Sequence, residues 1–477
     1  MQFLPIEVLR IFAEQLDRQV ADAAAPESTE EATPARRKLA NAYLNVAKRM
    51  AEAGYPEDSL ACYRKSLTQA PDDQDLHYDA LFPMERLNRV REAWDILQSL
   101  ETTIGTPCDP GKPLFILKAR LQYRRGNLET CRAMLEGFLN KHPAHTHRHL
   151  AWGWLGTALD ELGHYDDAMA AFNAKNEVLL RTPTAARLLR KNDIHLTEVD
   201  ESIRWYGDRR SFGWQETAPL PADSSRPVLL VGFPRSGTTL LDQLLDSHPA
   251  LSVIEEKATL HGIAERFFGN AAHLESLQRL SEAEMEACRQ TYWSNISGIR
   301  GHSPGKSQVV DKQPLNIMHL DIYARLFPGV KVVVAIRDPR DVVLSNYMQL
   351  YQLNPSMAAN LSLERSARYY SKVMGLYLLF RRLMPDNVHE VRYERLVQSL
   401  EEETAALMQF LGLEWKDEVL RFHEHARRRP ITTPSYHQVV KSIYGTSAGR
   451  WKNYRAHTEA VLPLLQPFIE AFGYSSS

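Results

Sequence analysis

The chain has 477 residues, a length that suggests two to four domains. Hydrophobic residues make up 44% and charged residues 24%, and Lys+Arg 57 against Asp+Glu 59 leaves a net charge of -2. That balance removes the simplest case for non-specific binding to nucleic acid or to a membrane surface. The four cysteines (Cys62, Cys108, Cys131 and Cys288) form no CxxC pair, which excludes a disulfide framework and a cysteine-based zinc finger. No apolar run approaches the ~20 residues of a membrane span. The expectation is a cytoplasmic protein without nucleic-acid or membrane partners.

In chain order, MQFLPIEVLRIFAEQLDRQ reads as an amphipathic helix, because Glu7 and Arg10 interrupt its apolar stretch. Residues 20–36 are small, polar and Pro-containing, the composition of a linker. From 37 to 200 the pattern is helical and repetitive. Pro71, Pro107 and Pro143 follow helical stretches at intervals of 36, and Pro183 follows 40 later. Helix-helix turns are expected at Gly54-Tyr55, Asn88-Arg89, Gly126-Asn127 and Gly163-His164. After each comes a small residue and, four later, a large one: Ser59/Tyr63, Ala93/Leu97, Cys131/Leu135 and Ala168/Phe172. A small residue lets two helices approach and the large one fills the groove.

This pattern resembles the tetratricopeptide repeat, a helix-turn-helix of about 34 residues. Pro83 is expected to interrupt the first helix of the second unit. A repeat array implies a surface for a protein partner, or else a helical cap that only supports the next domain. His142, His145, His147 and His149 offer metal-ligand side chains, but they fall in an inter-repeat turn without a nearby carboxylate or cysteine, and no metal site is expected.

Residues 201–225 mix aromatics, Gly and Pro and read as an irregular connector. From 226 to 477 short β runs alternate with helical stretches, the signature of an α/β domain with a mainly parallel sheet. Its opening, VLLVGFPRSGTTLLDQLLDSHP, is a buried strand, a Gly-rich loop and a helix. Leu240, Leu241, Leu244 and Leu245 form an apolar stripe, and Asp242, Gln243, Asp246 and Ser247 are expected to face water. Such a turn points backbone N–H groups and the helix dipole at a phosphate. Against the triphosphate loop G-x-x-x-x-G-K-[ST], Gly232, Gly237 and Thr239 fit. Thr238 stands where the lysine would be, and the cation has moved to Arg235. Losing that lysine argues against a transferable triphosphate.

PRSGTT after a strand resembles the 5′-phosphosulfate loop of sulfotransferases that use 3′-phosphoadenylyl sulfate, and LLDQLLDSHP with Glu255-Glu256 resembles their tyrosylprotein-sulfotransferase branch. The resemblance covers about residues 225–455 and implies a P-loop-like sulfotransferase fold. It implies that Arg235, Ser236, Gly237, Thr238 and Thr239 cradle the 5′-phosphate and sulfate. A second motif, KVVVAIRDPRDVVLSNY (331–347), places Arg337 at a strand end and Ser345 in the next helix, where the family binds the 3′-phosphate. Arg340 is a further candidate, or an ion pair with Asp338 or Asp341. The resemblance makes Glu256 the general base and Lys312 the group that stabilises the leaving phosphate. Glu255 stays open as the alternative base, since adjacent strand residues point apart and one of the two should face the cleft. Lys312 has the alternative of an ion pair with Asp311.

Further along, Tyr393 in VRYERLV aligns with a nucleotide-contacting tyrosine, Ser435 with a serine that assists the reaction, and Arg450 before Trp451 with a 3′-phosphate ligand. Arg427, Arg428 and Arg429 add positive charge. The family chemistry needs no metal and yields adenosine 3′,5′-bisphosphate. Asp242 stands where the tyrosylprotein branch carries arginine, and Lys257 where threonine is typical. The acceptor hydroxyl therefore remains open between peptide tyrosine, carbohydrate and small molecule, as does the oligomeric state. The alternatives are a P-loop nucleotide kinase using ATP, and a non-catalytic repeat adaptor with a nucleotide-binding domain.

Overall fold

The computed structural model describes residues 6–22, 32–52, 55–71, 73–104, 108–109, 111–214, 226–297, 308–422 and 448–475. Ser435 and Arg427 to Arg429 lie outside the described residues. The chain divides into two compact units, one up to Lys175 and one from Asn176 onward.

The first unit is helical. It begins with α1 (Ile6–Asp22), then four pairs: α2 (Ala32–Glu52) with α3 (Pro56–Gln69), α4 (Gln74–Arg86) with α5 (Val90–Ile104), α6 (Pro113–Arg124) with α7 (Leu128–Lys141), and α8 (Arg148–Glu161) with α9 (Tyr165–Leu180). The expected turns at Asn88-Arg89, Gly126-Asn127 and Gly163-His164 fall between the members of these pairs, as does Tyr55, while Gly54 lies outside the described residues. All eight small and large residues of the repeat pattern are buried, at 0–1% exposure. A Cβ on Gly156 would come within 2.8 Å of the Phe172 ring, so the small residue there sets how closely α8 and α9 pack. The stretch expected as linker (20–36) is shorter, since α1 runs to Asp22 and α2 begins at Ala32. Pro83 does not interrupt its helix. It lies in the last turn of α4, where it removes one amide donor while the Leu87 amide still donates to the Pro83 carbonyl at 2.9 Å. The histidine rings meet one another at tilted or edge-on angles, with His145 and His147 centroids 5.6 Å apart, and His145 Nε2 meets the Gly111 carbonyl at 2.9 Å. Among the described residues no group of three or more His, Cys, Asp or Glu is arranged to hold a metal ion.

The second unit takes in α10 (Pro183–Tyr206), which the sequence pattern grouped up to residue 200 with the repeats. Tyr206 at its end is buried against Phe380 and donates to Asp321. The connector begins as an aromatic anchor, with Phe212 stacked on Trp214 at 4.4 Å. The centre is a five-stranded sheet of β1 (Val228–Gly232), β2 (Leu251–Glu255), β3 (Gln308–Lys312), β4 (Lys331–Ile336) and β5 (Val388–Arg392). The order is β2-β3-β1-β4-β5, and every neighbouring pair is parallel. β1 and β2 are buried at every residue, as expected for parallel strands covered on both faces. All five carboxyl ends face one edge of the sheet. The chain builds out from β1 in both directions, and in parallel sheets such a reversal opens a crevice at that edge.

Candidate functional site

Each strand delivers one candidate to that edge: the phosphate loop after β1, Glu255-Glu256 at β2, Lys312 as the last residue of β3, Arg337 after β4 and Tyr393 after β5. The register pairs Leu230 with Lys312, Glu255 with Lys312, and Gly232 with Ala335.

The loop after β1 is tightly made. A Cβ on Gly232 would lie 2.7 Å from the Ala335 carbonyl oxygen, so only glycine lets β1 pass β4 there. Gly237, at φ 108, is the N-cap of α11 (Thr238–Ser247), and a Cβ on it would lie 2.9 Å from the Tyr393 ring. The Leu240 and Leu241 amides close the first turn of α11 on the Gly237 carbonyl at 3.0 and 3.2 Å, and the N-terminus of such a helix favours an anion. Ser236 is 3% exposed, and its Oγ has no hydrogen-bond partner among the described residues. A buried hydroxyl at the start of a helix fits a bound phosphate oxygen.

Arg235 has φ 72, in the left-handed region that costs a non-glycine residue about 1–2 kcal/mol. This turns its side chain across the loop, where Nε donates to Ser345 Oγ at 3.1 Å. Arg337 Nη1 donates to the Arg235 carbonyl at 3.3 Å, and its guanidinium lies 4.9 Å from the Tyr393 ring centroid. Burial pulls the Arg235 guanidinium down from its usual range, with Arg337 and Arg450 adding to the effect and Tyr351 opposing it. Three arginines thus lie close enough for their charges to act on one another, and Tyr393 touches both motifs. Arg450 is held there through its neighbours: the Gly449 and Trp451 amides donate to the Asp341 carboxylate at 2.7 and 2.8 Å.

Arg340 does not join this cluster. Its guanidinium bonds Asp338 at 2.9 and 2.7 Å, reaches the Ser475 carbonyl, and stacks on Trp451 at 3.7 Å. It is a structural ion pair that fastens the C-terminal segment.

Lys312 is fully buried. Its Nζ meets Glu256 Oε1 at 2.6 Å, Glu255 Oε1 at 3.7 Å and Asp242 Oδ2 at 3.9 Å. Two expectations change here. Glu255 and Glu256 do not point apart, because Glu256 has left the strand at φ 49 and folds back while its amide donates to the Lys312 carbonyl at 2.7 Å. The expected wet face of α11 is buried, with Asp242 and Gln243 at 0% exposure. Asp242 faces Lys312, and Asp246 Oδ1 accepts from the Val253 amide at 3.0 Å. Asp311 does not pair with Lys312. It points to the opposite face, where Oδ2 accepts from Thr259 Oγ1, Tyr323 OH and Tyr292 OH at 2.7, 2.8 and 2.9 Å.

Sequence reasoning did not find Asn346 and Tyr351. Asn346 donates to the Pro234 carbonyl at 2.8 Å and accepts from Tyr351 OH at 2.7 Å, so the residue after Ser345 clamps the loop that carries Arg235. The pair of adjacent polar residues Ser345-Asn346 after the apolar run Val342-Val343-Leu344 was the available signal.

The sulfotransferase family model matches residues 227–417. An uncharacterized protein of Aquifex aeolicus is 29% identical over 252 residues, covering 51% of this chain and 32% of that protein. The chain thus spans about a third of the length of that relative. Protein-tyrosine sulfotransferase 2 of Gallus gallus is 25% identical over 277 residues, covering 56% of this chain and 70% of that protein. Among solved structures, the sulfotransferase domain of the Synechococcus PCC 7002 olefin synthase is 23% identical with a TM-score of 0.37, covering 55% of this chain and 99% of that one. The phosphate loop, the two arginine motifs and the lysine-carboxylate centre on one sheet edge all lie within residues 227–417, the stretch that matches the sulfotransferase family model.

Proposed function

We propose that the chain transfers a sulfuryl group from 3′-phosphoadenylyl sulfate to a hydroxyl acceptor and releases adenosine 3′,5′-bisphosphate. The observation that carries this reading is the junction of the two phosphate motifs. Arg235 bonds Ser345, and Arg337 bonds the Arg235 carbonyl, so one doubly phosphorylated ligand can span both. Arg235, Ser236, Gly237, Thr238 and Thr239 would hold the 5′ end. Arg337, Ser345 and Arg450 would hold the 3′-phosphate, with Tyr393 packed between the two.

In the reaction, the acceptor oxygen bonds to sulfur as the bond from sulfur to the phosphate oxygen breaks, and the electron pair leaves with the bisphosphate. Glu256 takes the hydroxyl proton, and Lys312 donates to the departing oxygen. Positioning and electrostatics carry such transfers. Ser435 is proposed as an assisting group on family resemblance alone. Peptide tyrosine is one candidate acceptor, since relatives are named protein-tyrosine sulfotransferases. Asp242 and Lys257 depart from that branch, so carbohydrate and small-molecule hydroxyls belong in the same screen. The paired helices of the first unit are proposed as a tetratricopeptide-like array for a protein partner, in a cytoplasmic protein.

Calorimetric titration with adenosine 3′,5′-bisphosphate tests the donor site. Binding by the wild type, weakened in both Arg235→Ala and Arg337→Ala, supports it. Absence of binding, or Mg²⁺-dependent ATP turnover instead, overturns it. A screen of hydroxyl acceptors with 35S-labelled donor then identifies the substrate class.

A further inference from the structure

Lys312 has more counter-charge than one ion pair needs, and the three carboxylates are not equivalent. Glu256 is the nearest and most exposed, with a side chain 36% accessible. Glu255 is 7% accessible and is the last residue of β2, paired in register with Lys312. Asp242 is 0% accessible and sits in the middle of α11. Two acids are therefore fixed by a strand and a helix, while the third stands on a turn beyond the strand at positive φ.

The proposed chemistry requires the closest pair to open. A carboxylate engaged with an ammonium at 2.6 Å is a poor proton acceptor, and the lysine proton it holds cannot serve the leaving oxygen. Once Glu256 turns to the acceptor, a fully buried lysine would be driven toward its neutral form by desolvation. Neutral Lys312 would have lost the charge that stabilises the departing phosphate.

We propose that Asp242 and Glu255 are positioning residues that keep Lys312 protonated and aimed while Glu256 leaves it to serve the acceptor. This rests on the roles given to Glu256 and Lys312 above. Among the described residues, the charged groups facing Nζ are these three: Asp242 from α11, and Glu255 and Glu256 from the end of β2. Burial lowers the lysine's proton affinity, and Glu256, Glu255 and Asp242 together more than restore it. Removing Glu256 should thus leave Lys312 charged, whereas removing a fixed acid as well should not.

The test is an NMR titration of 13Cε-lysine-labelled full-length protein, with the Lys312 signal assigned through Lys312→Arg. It is run with and without adenosine 3′,5′-bisphosphate. Glu256→Gln should keep Lys312 protonated up to pH 9. Glu256→Gln with Asp242→Asn, and separately Glu256→Gln with Glu255→Gln, should lower its midpoint by at least one pH unit. Asp242→Glu in the Glu256→Gln background should restore it. Equal midpoints in the single and both double variants overturn the proposal, as does full loss of charge in Glu256→Gln alone. The second double variant keeps the test decisive should Asp242→Asn misfold. The measurement without nucleotide reads the lysine directly, so failure to bind the bisphosphate would refute the donor reading without being mistaken for failure of this one.

Discussion

Asp311 and Lys312 are neighbours in β3, both buried, and they face opposite sides of the sheet. Lys312 is surrounded by three carboxylates, which raise its proton affinity above the ordinary lysine value despite burial. Asp311 is surrounded by three hydroxyls, which lower its proton affinity but do not offset burial, and its carboxyl is pushed up. Equal burial therefore produces an ionic centre on one face and a hydrogen-bonded brace on the other. The difference lies in the partners, and the partners come from distant segments. The two sides remain linked: Thr259, three residues after Glu256, donates to Asp311, so the brace also anchors the turn that carries Glu256.

The largest effects should come from the ionic face. Glu256→Gln should lower the sulfuryl-transfer rate by about 10²–10⁴-fold, as for a general base. Lys312→Ala should lower it by about 10²–10³-fold, as for a lost donor to developing negative charge. Because the two groups act on one transfer, the double variant should fall short of the product of the single losses. Rates within threefold of wild type for Glu256→Gln, measured with labelled donor, would move the base to Glu255.

Next come the arginines. Arg235→Ala and Arg337→Ala should each weaken adenosine 3′,5′-bisphosphate about 10- to 100-fold, the scale of one lost charge-assisted hydrogen bond. Arg340→Ala should leave that affinity within about threefold and lower thermal stability instead, because it leaves Asp338 buried without its partner. Equal affinity losses at Arg337 and Arg340 in a calorimeter would show that the division between ligand-binding and structural arginines is drawn in the wrong place.

On the braced face the effect is on stability. Tyr323→Phe removes one of three donors to Asp311 and an acceptor for Asn316, whose side-chain amide meets the Tyr323 hydroxyl at 2.8 Å. A loss of about 1–3 kcal/mol is expected from urea unfolding. An unchanged midpoint would mean that the two remaining hydroxyls suffice.

The contrast explains what the sequence could reveal. Strand ends and turn residues were legible because local pattern dictates them. VLLVGF before PRSGTT sets a strand, a loop and a helix whatever surrounds them, and the small and large pairs of the repeats mark buried helix faces. Side-chain partners were less legible. Asp242 reads as solvated on a helical wheel, since the wheel does not show that Lys312 arrives beside it from 70 residues away. Glu256 reads as opposed to Glu255 only while the strand continues, and the positive φ that ends it carries no local glycine signal. Pro83 reads as a break because its position within the last turn depends on where Asn88 ends the helix.

The smallest effect should appear at Asp321, a second buried carboxyl in the same unit with fewer donors. It accepts from Tyr206 OH at 3.0 Å and from the Ile322 amide at 2.9 Å, and burial raises it to about 7. A carboxyl whose folded value lies above its unfolded value of about 3.9 favours folding in its neutral form. Its contribution is complete below that unfolded value and is lost as pH rises through about 7. Asparagine mimics the neutral acid and cannot ionise. The melting temperature of Asp321→Asn minus that of wild type should therefore become more positive between pH 5 and pH 8. A difference that stays flat across this range would mean that one hydroxyl and one amide offset burial for the ionised form where three hydroxyls at Asp311 do not, and the number of donors would no longer explain how β3 and its surroundings hold their charges.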